Sequence, residues 1–121
     1  MTNREIAIAL TQKGLTYAAV GEVLGISRQA VHQLISRSVS NRVSLGNKII
    51  YPNLLEWSIK NQCNREKFIS RMGFSVDSAS KAKLARVLNG KQNPTKDYID
   101  KMIQVTELSY ETLFEVFPNG D

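Results

Sequence analysis

The chain has 121 residues, a net charge of +5, one histidine and one cysteine. A single cysteine gives no intramolecular disulfide. With only His32 beside Cys63, neither a metal cluster nor a thiol–imidazole pair can be assembled locally, so a binding protein without enzymatic activity or cofactor is expected. No run approaches the roughly 18 apolar residues of a membrane helix and the N-terminus has no secretory pattern, which leads us to expect a soluble, cytoplasmic protein with no membrane partner.

Thr2-Asn3-Arg4-Glu5 reads as a capping box opening a first helix, which would run through Ile6, Ala9 and Leu10 and end at Gly14. Thr16 and Ser27 are further N-cap candidates, with Leu15 and Val20 forming a hydrophobic staple around the first and Ile26 and Val31 around the second. Val20, Leu24, Ile26, Val31 and Leu34 can converge on one small core if the two helices cross steeply. Gly21 falls where the helices approach most closely. Gly25 follows the first of them, at the position that usually takes up a left-handed backbone. The pattern predicts a helix-turn-helix. Its second helix would expose Ser27, Arg28, Gln29, His32, Gln33, Ser36 and Arg37, residue types that contact base edges and phosphates of double-stranded DNA.

Residues 38–51 are turn-rich and carry no helical period; Lys48-Ile49-Ile50-Tyr51 reads as a short strand or an extended linker packed on the second half of the chain. Beyond it, Asn53 through Glu56 and then Asn64 supply two helix starts, with Leu55 and Ile59, and Phe68 and Met72, as apolar pairs one turn apart. Cys63 reads as a small buried hydrophobe stapled to Phe68, and Trp57 as packing. Leu84, Val87 and Leu88 mark a third helix closed by Asn89-Gly90. Pro94 and Thr95 begin a fourth with Tyr98, Ile99, Met102 and Ile103, and Ser109 caps a short fifth with Leu113 and Phe114 inward. Started at Ser80, the third helix would turn outward Ser80, Lys81, Ala82, Lys83, Arg86 and Asn89, with Lys91 just past its end. That face is basic but poor in base-discriminating groups.

Charge is segregated. Between Lys60 and Lys91 eight basic residues face only Glu66 and Asp77, whereas from Gln92 onward Lys96 and Lys101 face six acidic residues. A basic face with an acidic far side orients toward a polyanion.

Residues 15–37 resemble the helix-turn-helix of sigma-factor region 4 and of many small transcription regulators. Residues 52–117 resemble the Cro/C1 (Xre-type) repressor family of phage and mobile-element regulators, through the segments Asn64–Phe74, Leu84–Lys91, Asn93–Thr95 and Leu108–Phe114. Against that pattern Val76-Asp77-Ser78-Ala79-Ser80 looks inserted, implying a longer turn or an extended recognition helix, and Ile69 replaces a small residue near the helix crossing.

The resulting expectation is an all-α chain with a helix-turn-helix domain over residues 1–40, a linker over 41–51, and a five-helix Cro/C1-like domain over 52–121. Each half is small enough that the two are expected to lean on one another. The pattern and the resemblance together imply a sequence-specific DNA-binding transcriptional regulator that occupies a promoter or recruits polymerase beside it; the Cro/C1 resemblance favours repression, and a homodimer is compatible with it. A second reading keeps the fold but makes the chain a protein-interaction module, an antirepressor or inhibitor, that binds a repressor, RNA polymerase or another host protein. Structured RNA is a third partner class, supported only by the basic face, since no aromatic stacking platform is evident.

Overall fold

In the computed structural model, residues 2–37 and 39–117 are described. They form eight helices: α1 (Asn3–Gln12), α2 (Tyr17–Leu24), α3 (Arg28–Ser36), α4 (Pro52–Lys60), α5 (Arg65–Arg71), α6 (Ser78–Leu88), α7 (Lys96–Thr106) and α8 (Tyr110–Leu113). No strand occurs among the described residues.

Local chemistry starts most of these helices. The side chains of Thr2, Thr16, Ser27, Asn64, Asp77, Thr95 and Ser109 each accept a hydrogen bond from the backbone N–H three residues on, satisfying a donor that the first turn leaves without an intrahelical partner. The capping box at Thr2 closes differently from the usual one. The Glu5 carboxylate accepts from the Thr2 hydroxyl itself at 3.2 Å.

Two helix starts differ from the sequence expectation. α4 begins at Pro52, whose missing N–H costs nothing in a first turn, and Asn53 is not its cap. α6 begins at Ser78 rather than Ser80, because Asp77 reaches the Ser80 N–H at 2.8 Å, so the apparent insertion lengthens the helix at its N-terminal end.

α2 and α3 pack closely against one another, and α1 packs on both and also on α4. The core is continuous across this contact. Ala7, Tyr17, Val20, Val31 and Ile35 of α1–α3 belong to the same buried cluster as Leu54, Leu55, Ile59, Phe68, Leu84, Leu88 and Met102 of α4–α7. Burial of this many large apolar side chains, at about 1.5–3 kcal/mol each, is the dominant attraction.

The connecting segment is part of the core. Leu45 and Ile49 are fully buried, the Lys48 N–H donates to the Ser36 carbonyl at 2.9 Å, and the Ile50 N–H donates to the Leu88 carbonyl at 3.1 Å. Arg65 of α5 ties it down further, its Nε donating to the Leu45 carbonyl at 2.6 Å. Lys48 to Tyr51 is therefore an irregular linker, bent at Lys48 (φ 63°) and Ile50, joined to α3 on one side and α6 on the other.

Candidate nucleic-acid interface

The helix-turn-helix is built on a close approach. A Cβ added to Gly21 would lie 2.5 Å from the Ile26 carbonyl oxygen, so only glycine lets the turn after α2 come this near. The Ile26 N–H donates to the Gly21 carbonyl at 2.9 Å, and Gly25 takes φ 73°, the left-handed conformation that reverses the chain.

α3 is rotated from its expected setting. Val31 and Ile35 form its inner stripe, whereas Leu34 is only half-buried. His32 shares the inner side. Expected on the exposed face, it is fully buried, with Nε2 3.1 Å from the Ile49 carbonyl oxygen and its ring 5.9 Å from Tyr17 and 5.6 Å from Phe117. The expectation failed because the linker covers that flank of α3, and a buried imidazole is tolerable there only with a polar partner, which Ile49 supplies. His32 is thus a packing residue and not the exposed one that was expected.

The other predicted α3 residues divide by exposure. Ser27 is exposed and holds the cap; Arg37 is exposed just past the helix; Gln29, Gln33 and Ser36 are half-buried. Arg28 is committed within the chain. Its Nη2 donates to the Asn53 side-chain oxygen and to Glu115 Oε1, both at 2.7 Å, and its guanidinium lies 5.1 Å from the Phe117 ring centroid. Nothing local could have revealed this, since Glu115 is 87 positions away.

α6 also differs from a freely presented basic face. Lys81 pairs with Glu66 at 3.1 Å, Arg86 Nε donates to Gln92 at 2.7 Å, and Lys83 is half-buried with Nζ 4.7 Å above the Tyr98 ring. Burial pushes the pKa of the Tyr98 hydroxyl up to about 12. Ser80 and Asn89 are half-buried rather than outward. Ser80 lines a small cavity with Ile69, Phe74 and Tyr98, and Asn89 Oδ1 is buried without a hydrogen-bond partner. Lys91 is exposed.

Sequence reasoning missed a basic cleft of about 360 Å³ where Asn41, Arg42, Asn64, Arg65, Glu66 and Lys81 meet. The separated charges of the linker and α5 were the available signal. Among the described residues no group of histidine, cysteine, aspartate or glutamate is placed to hold a metal ion, and no helix is long and apolar enough to cross a membrane. Cys63 is buried, and that burial raises its thiol pKa, which keeps it in the unreactive thiol form.

No curated protein and no solved structure is matched by the chain. Nothing in the comparisons identifies a Cro/C1 domain in the C-terminal half. Residues 2–44 match the model of the homeodomain-like domain, a span that takes in α1–α3 and the start of the linker. The N-terminal part of the chain is thus a homeodomain-like helix-turn-helix domain, a type that suggests DNA binding.

Proposed function

We propose that the protein is a sequence-specific regulator of transcription that binds double-stranded DNA through α3 and represses by occupying a promoter. The observation that carries this reading is the α2–turn–α3 unit itself, with Gln29, Gln33, Ser36 and Arg37 on the side of α3 away from the Val31–Ile35 stripe. Glutamine pairs with adenine in the major groove, and arginine with guanine or phosphate. The Cro/C1 resemblance of residues 52–117, which form α4–α8, is what favours repression and a regulator of phage or mobile-element type. Selection of bound duplexes from a random library at near-physiological salt tests the proposal. A defined motif is expected, and loss of its preference at one position in Gln33→Ala would assign the reading to α3.

A second reading has its own support. Arg28, Lys81, Lys83 and Arg86 all have partners within the chain, which suits a module that meets a repressor or RNA polymerase rather than a phosphate backbone. Absence of any enriched motif, with capture of RNA polymerase or a repressor, would select it.

A further inference from the structure

At the N-terminal end of α3, Arg28 and Asn53 hold a carboxylate from the C-terminal side of the chain. Arg28, the first residue of α3, and Asn53, in the first turn of α4, form a coupled pair of donors. Arg28 Nη2 donates to Asn53 Oδ1 at 2.7 Å, which fixes the amide so that Nδ2 points outward. That Nδ2 donates to Glu115 Oε1 at 2.7 Å and to the Thr112 carbonyl at 2.8 Å. Arg28 reaches the same carboxylate from the other side, with Nη2 2.7 Å from Oε1 and Nη1 3.5 Å from Oε2. One oxygen therefore receives two donors from two helices. Phe117 completes the contact by placing its ring beside both the Arg28 guanidinium and His32.

The same donors are complementary to a phosphodiester oxygen. A planar guanidinium and an amide N–H, converging at a helix N-terminus, offer hydrogen bonds to any oxyanion of this size. A helix-turn-helix places the N-terminal residues of its second helix near DNA, and Arg28 is the first residue of α3, on the flank of Val31 and His32 beside the Gln29–Gln33 face. The contact is also weak enough to exchange. The Arg28 and Glu115 side chains remain 34% and 43% exposed, and surface ion pairs of that kind are marginal and screened by salt.

We propose that Glu115 and Phe117 form a clasp that occupies the phosphate-reading end of α3 in cis, and that DNA binds by displacing it. This rests on the reading of α3 as the DNA-contacting helix. Arg28 then has two alternative anionic partners, a carboxylate of its own chain and a phosphate of the duplex. A closed clasp lowers apparent DNA affinity by the fraction of molecules in which Arg28 is engaged.

The test is a titration of fluorescent random-sequence duplexes with the full chain, followed by anisotropy, for wild type, Glu115→Gln, the double variant Glu115→Ala/Phe117→Ala, and Arg28→Ala. Glu115→Gln keeps the side-chain shape and guards against loss of fold in the double variant. Affinity roughly tenfold above wild type is expected for the double variant, a smaller gain for Glu115→Gln, and a loss for Arg28→Ala. Faster amide hydrogen exchange over residues 114–117 on adding DNA to wild type is also expected. Equal or weaker binding by the clasp variants, with wild type still binding, would overturn the clasp and leave the DNA reading intact. No binding by any of the four proteins would overturn the DNA reading, and the clasp with it.

Discussion

The carboxylate of Glu56, in the middle of α4, accepts a hydrogen bond from the backbone N–H of Tyr17, the first residue of α2. One helix start in the helix-turn-helix is thus completed by a side chain from beyond the linker, where a negative charge also complements the helix dipole. Glu56→Ala should cost about 1 kcal/mol, and Glu56→Gln less, because the amide oxygen keeps an acceptor but not the charge. Urea unfolding followed by Trp57 fluorescence checks both. The midpoint should fall with little change in slope, the sign of lost stability without altered compactness.

Two glycines of the turn should respond differently to alanine. At Gly21 a methyl group meets a backbone carbonyl that cannot rotate away, and a penalty of about 2–3 kcal/mol is expected as the helices are forced apart. At Gly25 the space is open and only the left-handed backbone resists, at about 1–2 kcal/mol. Thermal melts of the two variants should place Gly21→Ala below Gly25→Ala.

Replacement of His32 should act on folding before it acts on DNA. His32→Ala removes a buried ring from between Tyr17 and Phe117 and strips the Ile49 carbonyl of its partner, a combined cost of about 2–4 kcal/mol. Binding measured per folded molecule, from stoichiometric titration with the duplex, should not fall. A large loss of affinity with unchanged stability would return His32 to the recognition face.

Gln33 and Arg37 separate base reading from charge. Gln33→Ala should relax preference at one operator position by about 1–3 kcal/mol if the contact to the base is bidentate. Arg37→Ala should weaken all sequences alike and reduce the salt slope by about one unit, as expected for one lost phosphate contact. Competition binding over a range of salt concentrations distinguishes the two patterns.

Glu115 predicts a pH dependence. Its carboxyl is held below the usual range, mainly by the Arg28 hydrogen bond, with Asn53 adding to the effect and burial opposing it. A depressed acid contributes its stabilisation above its unfolded pKa, near the ordinary 4.5, and loses it as pH falls through the lower folded value. Without DNA, the contact with Arg28 should therefore be favoured at neutral pH and lost in acid. Carboxyl titration by NMR should show the Glu115 midpoint rising toward the ordinary value in Arg28→Ala.

Much of the helical layout could be read from residues close in sequence. Thr16, Ser27, Asn64 and Ser109 cap the helices assigned to them because a cap needs only a side chain and an amide three positions on. Gly21 and Gly25 were equally readable, since their constraints lie within the turn. The candidate binding face was less legible. Which side of α3 is covered depends on Ile49, Glu115 and Phe117, none of them near α3 in sequence, so periodicity alone turned His32 outward and left Arg28 unpartnered. On α6 the same limit applied: Lys83 is identified as a surface cation by type, but Tyr98 draws it against α7.

The stitching of Lys48 and Ile50 to different helices makes the linker a spacer of fixed count. With Lys48 bonded to α3 and Ile50 to α6, and Ile49 between them facing His32, three consecutive residues define the offset between the halves. One residue added or removed there could preserve the bond to α3 or the bond to α6, but not both. Variation in length should consequently be tolerated at exposed Asn41 and Arg42 and rejected between Gly46 and Tyr51, so the spacing of the two halves is measured out by the chain rather than left to a tether.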